Sequence, residues 1–243
     1  AAPDGHTLLL TADNSITGNP NLIRNLPHDP QRDLAPVTWL LDVHQMVLIH
    51  PSVPARDKAG LIEAARAAPG RLNFGSYGSA SQPHLLFGGL AAKAGIQLTH
   101  VPYRGLTRAL VATLANEVQM TLAGVASSRQ HREAGTLRAM AVGRPTRLPQ
   151  LPDVPTLLKA GHDDIDPRAS FGVLAPAGTP PAVIARIRDS IATAMAAAPV
   201  RDRHLTPNGY TVHISSPEAF RDMIARDLVL KREMIRRAGI SPD

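Results

Sequence analysis

The feature that most constrains this chain is the alternation of short apolar runs with alanine-rich periodic segments along almost its whole length. Short β-branched runs are typical of strands, and apolar residues at helical spacing are typical of amphipathic helices. The predicted strands are 6–10, 46–50, 71–75, 96–101, 118–123, 136–142, 170–175 and 210–214. The predicted helices are 57–68, 82–94, 106–115, 126–134, 180–198 and 216–237. This order predicts an α/β fold with mostly parallel sheets.

Composition limits the classes of function. The 243 residues, 44% of them hydrophobic, can bury one large core or two smaller ones. No apolar run approaches the roughly 20 residues of a membrane-spanning helix, and the start AAPDGHTLLL shows no export signal as given. The sequence has no cysteine, which excludes disulfides, thiol nucleophiles and cysteine zinc sites but does not indicate a compartment.

The net charge of +6 raises the possibility of nucleic-acid binding. The basic residues are spread over the faces of predicted helices, however, and aromatic residues for base stacking make up only 3% of the chain. The pattern favours solvated helix faces over a nucleic-acid surface, so no nucleic-acid partner is predicted. A general attraction to anions is compatible with the same charge.

The segment RLNFGSYGSASQPHLLFGGLAAKAG contains the candidate site. If 71–75 is a strand and 82–94 a helix, the loop Gly75 to Ser81 lies at the carboxyl end of a strand, where α/β folds hold ligands. Ser81 is the predicted N-cap and Pro83 lies in the first turn. Unpaired N–H groups, the helix dipole and flexible glycines would suit a carboxylate or phosphate. The alternative is that glycine and serine only turn and cap the chain here.

The sequence lacks the common enzyme and metal-binding motifs. It contains neither a phosphate-binding P-loop nor a dinucleotide fingerprint, a nucleophile elbow or an H-E-x-x-H pair. His84, in the first turn of the predicted helix, is either a donor to a bound anion or a packing residue. The sequence therefore predicts no catalytic residue, no metal site and no cofactor.

The chain resembles the tripartite tricarboxylate transporter substrate-binding family, the Bug-type periplasmic solute receptors. The resemblance rests on segments that follow one another nearly without gaps: AAPDGHTLLL, DLAPVTWL, LIHPSVPA, APGRLNFGSYGSASQPHL, THVPYRG, LRAMAVGRPTRLPQLPDVPT, FGVLAPAGTPP and RAGISPD. It implies a type II periplasmic binding fold, in which two α/β lobes joined by two crossing strands close on a small solute. It also implies a carboxylate or dicarboxylate solute, delivered to membrane permease subunits by a receptor expected to be a monomer.

The resemblance implies the following ligand contacts: Ser76, Gly78, Ser79, Ala80 and Ser81 in the loop, His84 behind them, and Pro102 and Tyr103 on the wall of the second lobe. The wall residues are alternatively a strand end leading into a turn. Further candidates lie where this chain departs from its relatives: Asp13, Asn14, Ser15, Gly124, Ser170 and Phe171. Asp13 places a carboxylate where a ligand carboxylate often rests, so an amine is the alternative partner of that position.

The resemblance also implies a division into lobes, with lobe one formed by 1–42 and 167–243 and lobe two by 43–166. Relatives begin with an export signal followed by a strand, a helix and a strand, none of which is present here. The first lobe is therefore expected to be incomplete, and the expected location is the periplasm. The alternative function is a truncated remnant that does not bind solute.

Overall fold

The computed structural model describes residues 1–144, 146–157, 159 and 168–241. They form two compact units. Unit 1 contains Ala1–Val43 and Ala169–Glu233, and unit 2 contains the described residues of His44–Arg168 together with Met234–Ser241. The division expected from the resemblance differs from this one at three places, since Val43 belongs to unit 1, Arg168 belongs to unit 2, and 234–241 group with unit 2 rather than with the first lobe. The predicted boundary at 166/167 lies outside the described residues.

Unit 1 is built on a four-stranded sheet with the order β1-β8-β2-β9. Its strands are β1 (Leu9–Ala12), β2 (Leu34–Val43), β8 (Ala169–Pro176) and β9 (Thr211–Val212). Its helices are α1 (Pro30–Asp33), α6 (Pro181–Ala196), the three-residue α7 (Ala198–Val200) and α8 (Pro217–Arg237) up to Glu233, with a π-helical turn at Asn14–Gly18. The last four residues of α8 group with unit 2.

All strand pairs of this sheet are antiparallel, so the expectation of mostly parallel sheets does not describe unit 1. The reason is the path of the chain. β2 leads out of the unit at Val43 and β8 leads back into it at Ala169, and these two residues are register partners. Two adjacent strands that leave and re-enter at the same edge must run in opposite directions.

β2 is a ten-residue strand that the sequence pattern did not predict. Pro36 lies inside it, and a proline cannot donate to the ladder. The structure accommodates the proline next to a register shift between Pro36 and Thr38, where a bulge removes the need for regular pairing. Gly172 on β8 has a packing role, since an added Cβ would lie 2.1 Å from the ring of the fully buried Phe220.

Unit 2 is built on a five-stranded sheet with the order β5-β4-β6-β3-β7. Its strands are β3 (Gln45–Ile49), β4 (Asn73–Ser76), β5 (Thr99–Pro102), β6 (Met120–Gly124) and β7 (Arg138–Val142). Its helices are α2 (Lys58–Ala67), α3 (Gln82–Ala94), α4 (Leu106–Leu114) and α5 (Val125–Glu133). These bounds agree closely with the predicted strands and helices of this part of the chain.

β4 is parallel to β5 and to β6, as the alternation predicts, whereas β3 is antiparallel to both β6 and β7. One edge of the sheet therefore collects the carboxyl ends of four strands and the amino end of β3. The apolar core lies on both faces of this sheet. Phe87, Ile49, Met120 and Leu122 belong to the cluster on one face, and Met46 and Leu48, which alternate with Ile49 along β3, belong to the cluster on the other. Burial on both faces explains why these strands appear as continuous apolar runs.

Candidate functional site

The candidate site is the loop between β4 and α3, at the edge of the unit 2 sheet where the strands end. The loop starts at Ser76, the last residue of β4, and ends at Ser81, the residue before α3. Gly78 has a φ of +129° and Ala80 a φ of +51°. Positive φ is costly for alanine, so the surrounding contacts must hold Ala80 in place. We call residues 76–81 the ligand loop.

The serines at the two ends of the ligand loop bond within the loop. The buried Ser76 Oγ accepts from the Gly78 N–H at 3.3 Å and lies 3.1 Å from the Gly78 oxygen. Ser81 Oγ donates to the same carbonyl at 2.6 Å and does not cap α3. These hydroxyls shape the loop and are already engaged, while Ser79 is exposed.

Some backbone N–H groups of the loop and the first turn of α3 are likewise bonded within the protein, and others are not. The Ala80 N–H donates to His84 Nδ1 at 3.3 Å, and the Ser81 N–H donates to the Gly78 oxygen at 3.3 Å. Among the residues that the structure describes, no acceptor bonds to the backbone N–H of Ser79 or of His84. His84 is the third residue of α3, whose first turn has no intrahelical acceptor for such groups. The loop therefore presents these N–H groups to an incoming acceptor.

Two histidines lie beside the loop. His84 on α3 and His100 on β5 stack with their ring centroids 3.8 Å apart and an interplanar angle of 16°. His100 Nε2 lies 2.6 Å from Ser76 Oγ. Burial, and next the neighbouring His100, lower the pKa of His84 to about 4, and burial lowers the pKa of His100. Both rings are therefore neutral at pH 7.

Tyr77 links the ligand loop to a strand that is not its neighbour. Its hydroxyl donates to Gln45 Oε1 at 2.8 Å. Gln45 begins β3, and β6 lies between β3 and β4 in the sheet. The end of β6 at this edge is the small residue Gly124, the register partner of Gln45. Tyr77 therefore joins two strand ends separated by two strand spacings, about 10 Å.

Three predicted residues lie along the same edge of unit 2. Tyr103 donates its backbone N–H to the Ser76 oxygen at 2.8 Å, which brings it beside the ligand loop. Burial, with Glu117 as a second cause, raises the pKa of the Tyr103 phenol. Pro102 ends β5 and is exposed, and Gly124 precedes α5. The structure thus brings these residues to one edge, and their contact with a ligand stays a prediction.

The strand end after β1 in unit 1 is organised differently. Asp13 is 4% exposed, and its Oδ2 lies 3.0 Å from Nζ of the equally buried Lys231 on α8. Its Oδ1 accepts from the Ser170 N–H at 3.2 Å. The amine proposed as the alternative partner of Asp13 is thus present in the chain itself. A carboxylate neutralised in this way repels an anion far less than a free one.

Ser170 connects Asp13 to a second buried carboxylate. Its Oγ donates to Asp42 Oδ1 at 2.7 Å, and Trp39 Nε1 donates to the same oxygen at 3.1 Å. Asp42 Oδ2 lies 2.9 Å from His213 Nε2, and the His213 ring stacks on Trp39 with centroids 3.7 Å apart. Asp13, Ser170, Asp42, Lys231, Trp39 and His213 form what we call the carboxylate network. Ser170 thus links the two buried carboxylates, Asp13 and Asp42.

The remaining predicted residues of unit 1 lie around this network. Asn14 and Ser15 belong to the π-helical turn, in which Ser15 is exposed and Asn14 Nδ2 donates to Asn19 Oδ1 at 3.4 Å. The buried Asn14 Oδ1 has no hydrogen-bond partner within the described part of the chain. Phe171 follows Ser170 on β8 and is half-buried. Their role in binding stays a prediction.

The sequence did not single out Gln45, His100, Asp42 and Lys231. His100 lies within the predicted strand 96–101 and within β5, but the sequence does not show that β5 pairs with β4. Lys231 and Asp13 are 218 positions apart, and no sequence spacing pairs them. Within the described residues, no cluster of three metal-ligating side chains occurs and no helix is long and apolar enough to cross a bilayer.

Comparison with known proteins agrees with the predicted resemblance. The model of the family described as tripartite tricarboxylate transporter family receptor matches residues 1–240. A relative from Pseudomonas sp. (strain P51), named UPF0065 protein in tcbD-tcbE intergenic region, is 35% identical over 224 residues. The match covers 92% of this chain, but the chain spans 66% of that relative's length.

Solved structures show the same fold. A structure described as that of a periplasmic transporter is 31% identical with a TM-score of 0.92, and the match covers 100% of this chain and 81% of that one. A second, R. palustris Rpa4515 with adipate, is 26% identical with a TM-score of 0.93 and the same coverage of both chains. The predicted type II periplasmic binding fold is confirmed, and the chain belongs to the tripartite tricarboxylate transporter receptor family, whose members are solute receptors.

Proposed function

We propose that the protein is a periplasmic receptor that captures a small carboxylate, dicarboxylate or acidic amino acid for the membrane permease of a tripartite tricarboxylate transporter. The family match supports the receptor role, and the neighbour solved with adipate supports a carboxylate solute. The single observation that carries the proposal is the ligand loop, which offers the backbone N–H groups of Ser79 and His84 and no acidic side chain. The receptor acts as a monomer and without catalysis.

The donors suit a carboxylate for electrostatic reasons. The 13-residue α3 has no acidic residue in its first turn, and the N-cap side chain does not neutralise its dipole. A helix N-terminus carries roughly half a positive charge, and an anion there gains about 0.3–1 kcal/mol, or up to ~2 kcal/mol when partly buried. The Ser79 and His84 N–H groups add charge-assisted hydrogen bonds to that attraction.

The alternative is that the loop after β4 only reverses the chain and caps the N-terminus of α3. A capping loop would direct its serine hydroxyl to the first-turn N–H groups, but Ser81 directs its hydroxyl to Gly78 instead. Ala80 at positive φ costs conformational energy, and residues strained in this way cluster at binding and active sites. The local geometry therefore favours the binding interpretation.

The proposal is tested by calorimetry of adipate, other dicarboxylates and acidic amino acids with the whole chain at pH 7. Ser79→Pro removes one presented N–H and should weaken the bound carboxylate by about 1–3 kcal/mol. Ser79→Ala keeps the N–H and is the matched control, with a change of less than ~1 kcal/mol expected. Equal affinities of the two variants would place the ligand elsewhere. A folded protein that binds none of these solutes would support the alternative of a remnant without binding.

A further inference from the structure

The ligand loop is bonded at both ends to the same pair of stacked rings. The Oγ of Ser76, at the start of the loop, lies 2.6 Å from His100 Nε2. Ala80, near its end, donates its N–H to His84 Nδ1 at 3.3 Å. The two rings lie 3.8 Å apart and nearly parallel, so the position of one end of the loop is coupled to that of the other.

The stack itself is held by the core. His100 is the register partner of Phe74 across the parallel β4-β5 pair, and their rings stack with centroids 5.1 Å apart. Phe74 is 2% exposed and also lies against Phe87 of α3 at 5.1 Å. The rings therefore have a rigid support of strand and helix, which is the arrangement that preorganises a loop.

We propose that His84 and His100 are a positioning pair, which holds the ligand loop in the conformation that presents the Ser79 and His84 N–H groups. This inference rests on the proposed function of the same loop. His84 Nδ1 accepts a hydrogen bond, so the neutral ring must carry its proton on Nε2. The accepted bond holds Ala80 at its positive φ, and release of Ala80 would let the Ser79 N–H turn away from the ligand.

The pair can work only while both rings are neutral. A protonated His84 would place an N–H at Nδ1 against the Ala80 N–H, which converts an attraction into a repulsion between two donors. Two charged rings at 3.8 Å would also repel each other. Among the described groups, His100 is the neighbour whose charge acts on His84. Phe74, Ser76 and Ala80, which also contact the pair, are uncharged.

The first experiment needs no ligand. Hydrogen exchange of the Ala80 amide, normalised to its intrinsic rate, is measured by NMR at pH 7 and at pH 4 in the folded protein. In the wild type, the protection of the Ala80 amide should be at least tenfold lower at pH 4 than at pH 7. His84→Asn keeps an acceptor at the position of Nδ1 that does not titrate, so its protection should be retained at both. His84→Leu removes the acceptor and should show low protection already at pH 7.

Two outcomes would overturn the positioning pair. One is an Ala80 amide equally protected in wild type and His84→Leu, and the other is an equal pH dependence in wild type and His84→Asn. His204→Asn, at an exposed histidine of unit 1, is the control for nonspecific effects of losing an imidazole. If His84→Leu does not fold, the comparison of wild type with His84→Asn across pH still decides the question.

The second experiment measures adipate affinity by calorimetry at pH 7. His84→Leu should weaken adipate about tenfold, whereas His84→Asn should remain within threefold of wild type. His100→Gln places an amide at the position of Nε2 and should also remain within threefold, and His100→Leu should lose at least fivefold. Wild type that fails to bind adipate would count against the proposed solute, while the Ala80 exchange data would still decide the role of the histidines. If Ala80 exchange differs among the variants but all of them bind adipate with the same affinity, the histidine pair does not determine binding.

Discussion

Two strand ends of this molecule, the loop after β4 and the turn after β1, occupy comparable places in their units but manage charge in opposite ways. After β4 the chain keeps acidic side chains away, uses its serine hydroxyls internally and leaves backbone donors presented at the start of a long helix. After β1 the chain buries Asp13 and supplies its own cation, Lys231, from α8. The loop after β4 can therefore accept an anion from solution, whereas the turn after β1 already holds the carboxylate of Asp13.

The difference teaches that a strand end is available to a ligand only if its donors are not satisfied by the chain. Residues 14–18 form a single π-helical turn, which is too short to carry the dipole of a full helix. α3, with 13 residues, provides that dipole at the ligand loop. The carboxylate network of unit 1 is therefore expected to govern stability, and the ligand loop of unit 2 is expected to govern affinity.

The largest effect should follow from breaking the buried ion pair. Asp13→Ala leaves the 5% exposed Lys231 without its carboxylate, and an uncompensated buried charge costs about 3–5 kcal/mol of unfolding free energy. Urea unfolding followed by the fluorescence of Trp39, the one tryptophan of the chain, reports on unit 1 directly. The double variant Asp13→Ala/Lys231→Met removes both charges and should recover most of the loss.

Asp202→Asn is the matched control, because Asp202 pairs with Arg201 at the surface. Exposed pairs contribute little, so a change within about 0.5 kcal/mol is expected. If Asp13→Ala were as mild as this control, the buried pair would not organise the end of β1, and the contrast between the two strand ends would disappear.

A smaller loss is expected from Ser170→Ala. The variant keeps the backbone N–H that Asp13 accepts but removes the hydroxyl that donates to the buried Asp42. Hydrogen bonds to charged groups contribute about 1.5–3 kcal/mol, so the unfolding free energy should fall by that amount. The measurement is the same Trp39 unfolding curve. An unchanged midpoint would mean that Trp39 and His213 satisfy Asp42 without Ser170.

The sequence predicted the position of the loop at residues 76–81 well because its signals are local. Glycine, serine and proline between an apolar run and a periodic segment specify a strand end and a helix start within a few residues. The structure places β4 at Asn73–Ser76 and α3 at Gln82–Ala94. The family resemblance pointed to the same loop.

The carboxylate network could not be predicted for the opposite reason. Asp13 follows β1, Trp39 and Asp42 lie on β2, Ser170 lies on β8, His213 follows β9 and Lys231 lies on α8. The sequence also hid β2, because Pro36 argues against a strand. Asp13 alone indicated an unfavourable charge near a ligand, and only the fold shows Lys231 beside it. His100 was missed similarly, because its contact with Ser76 depends on the pairing of β5 with β4.

The third prediction concerns the pH dependence of stability in unit 2. The pKa of His84 is lowered in the folded protein to about 4 from an ordinary value of 6.5. The unfolded chain therefore binds more protons between these values, and stability is lost as the pH falls from 6.5 to about 4. For this half-buried ring, after allowance for solvent screening, the loss is roughly 1–2 kcal/mol.

The measurement is urea unfolding followed by circular dichroism at pH 7, 5.5 and 4.5, in wild type and in His84→Asn. Carboxylates that titrate in the same range affect both proteins alike, so the difference between the two curves isolates His84. The difference should grow toward low pH in favour of His84→Asn. A constant difference would show that His84 titrates as an ordinary exposed histidine, and that burial does not lower its pKa in the folded protein.

The smallest effect tests whether the ligand loop is supported from across the sheet. Tyr77→Phe keeps the ring but removes the hydroxyl that donates to Gln45, a 4% exposed residue, at 2.8 Å. A neutral hydrogen bond contributes about 1 kcal/mol, so unit 2 should lose roughly that much unfolding free energy by circular dichroism. Because the positioning pair holds the loop independently of Tyr77, adipate affinity should remain within about twofold of wild type, or within ~0.4 kcal/mol. A larger fall in affinity than in stability would mean that the Tyr77 hydroxyl, and not the histidine pair, sets the orientation of the loop donors.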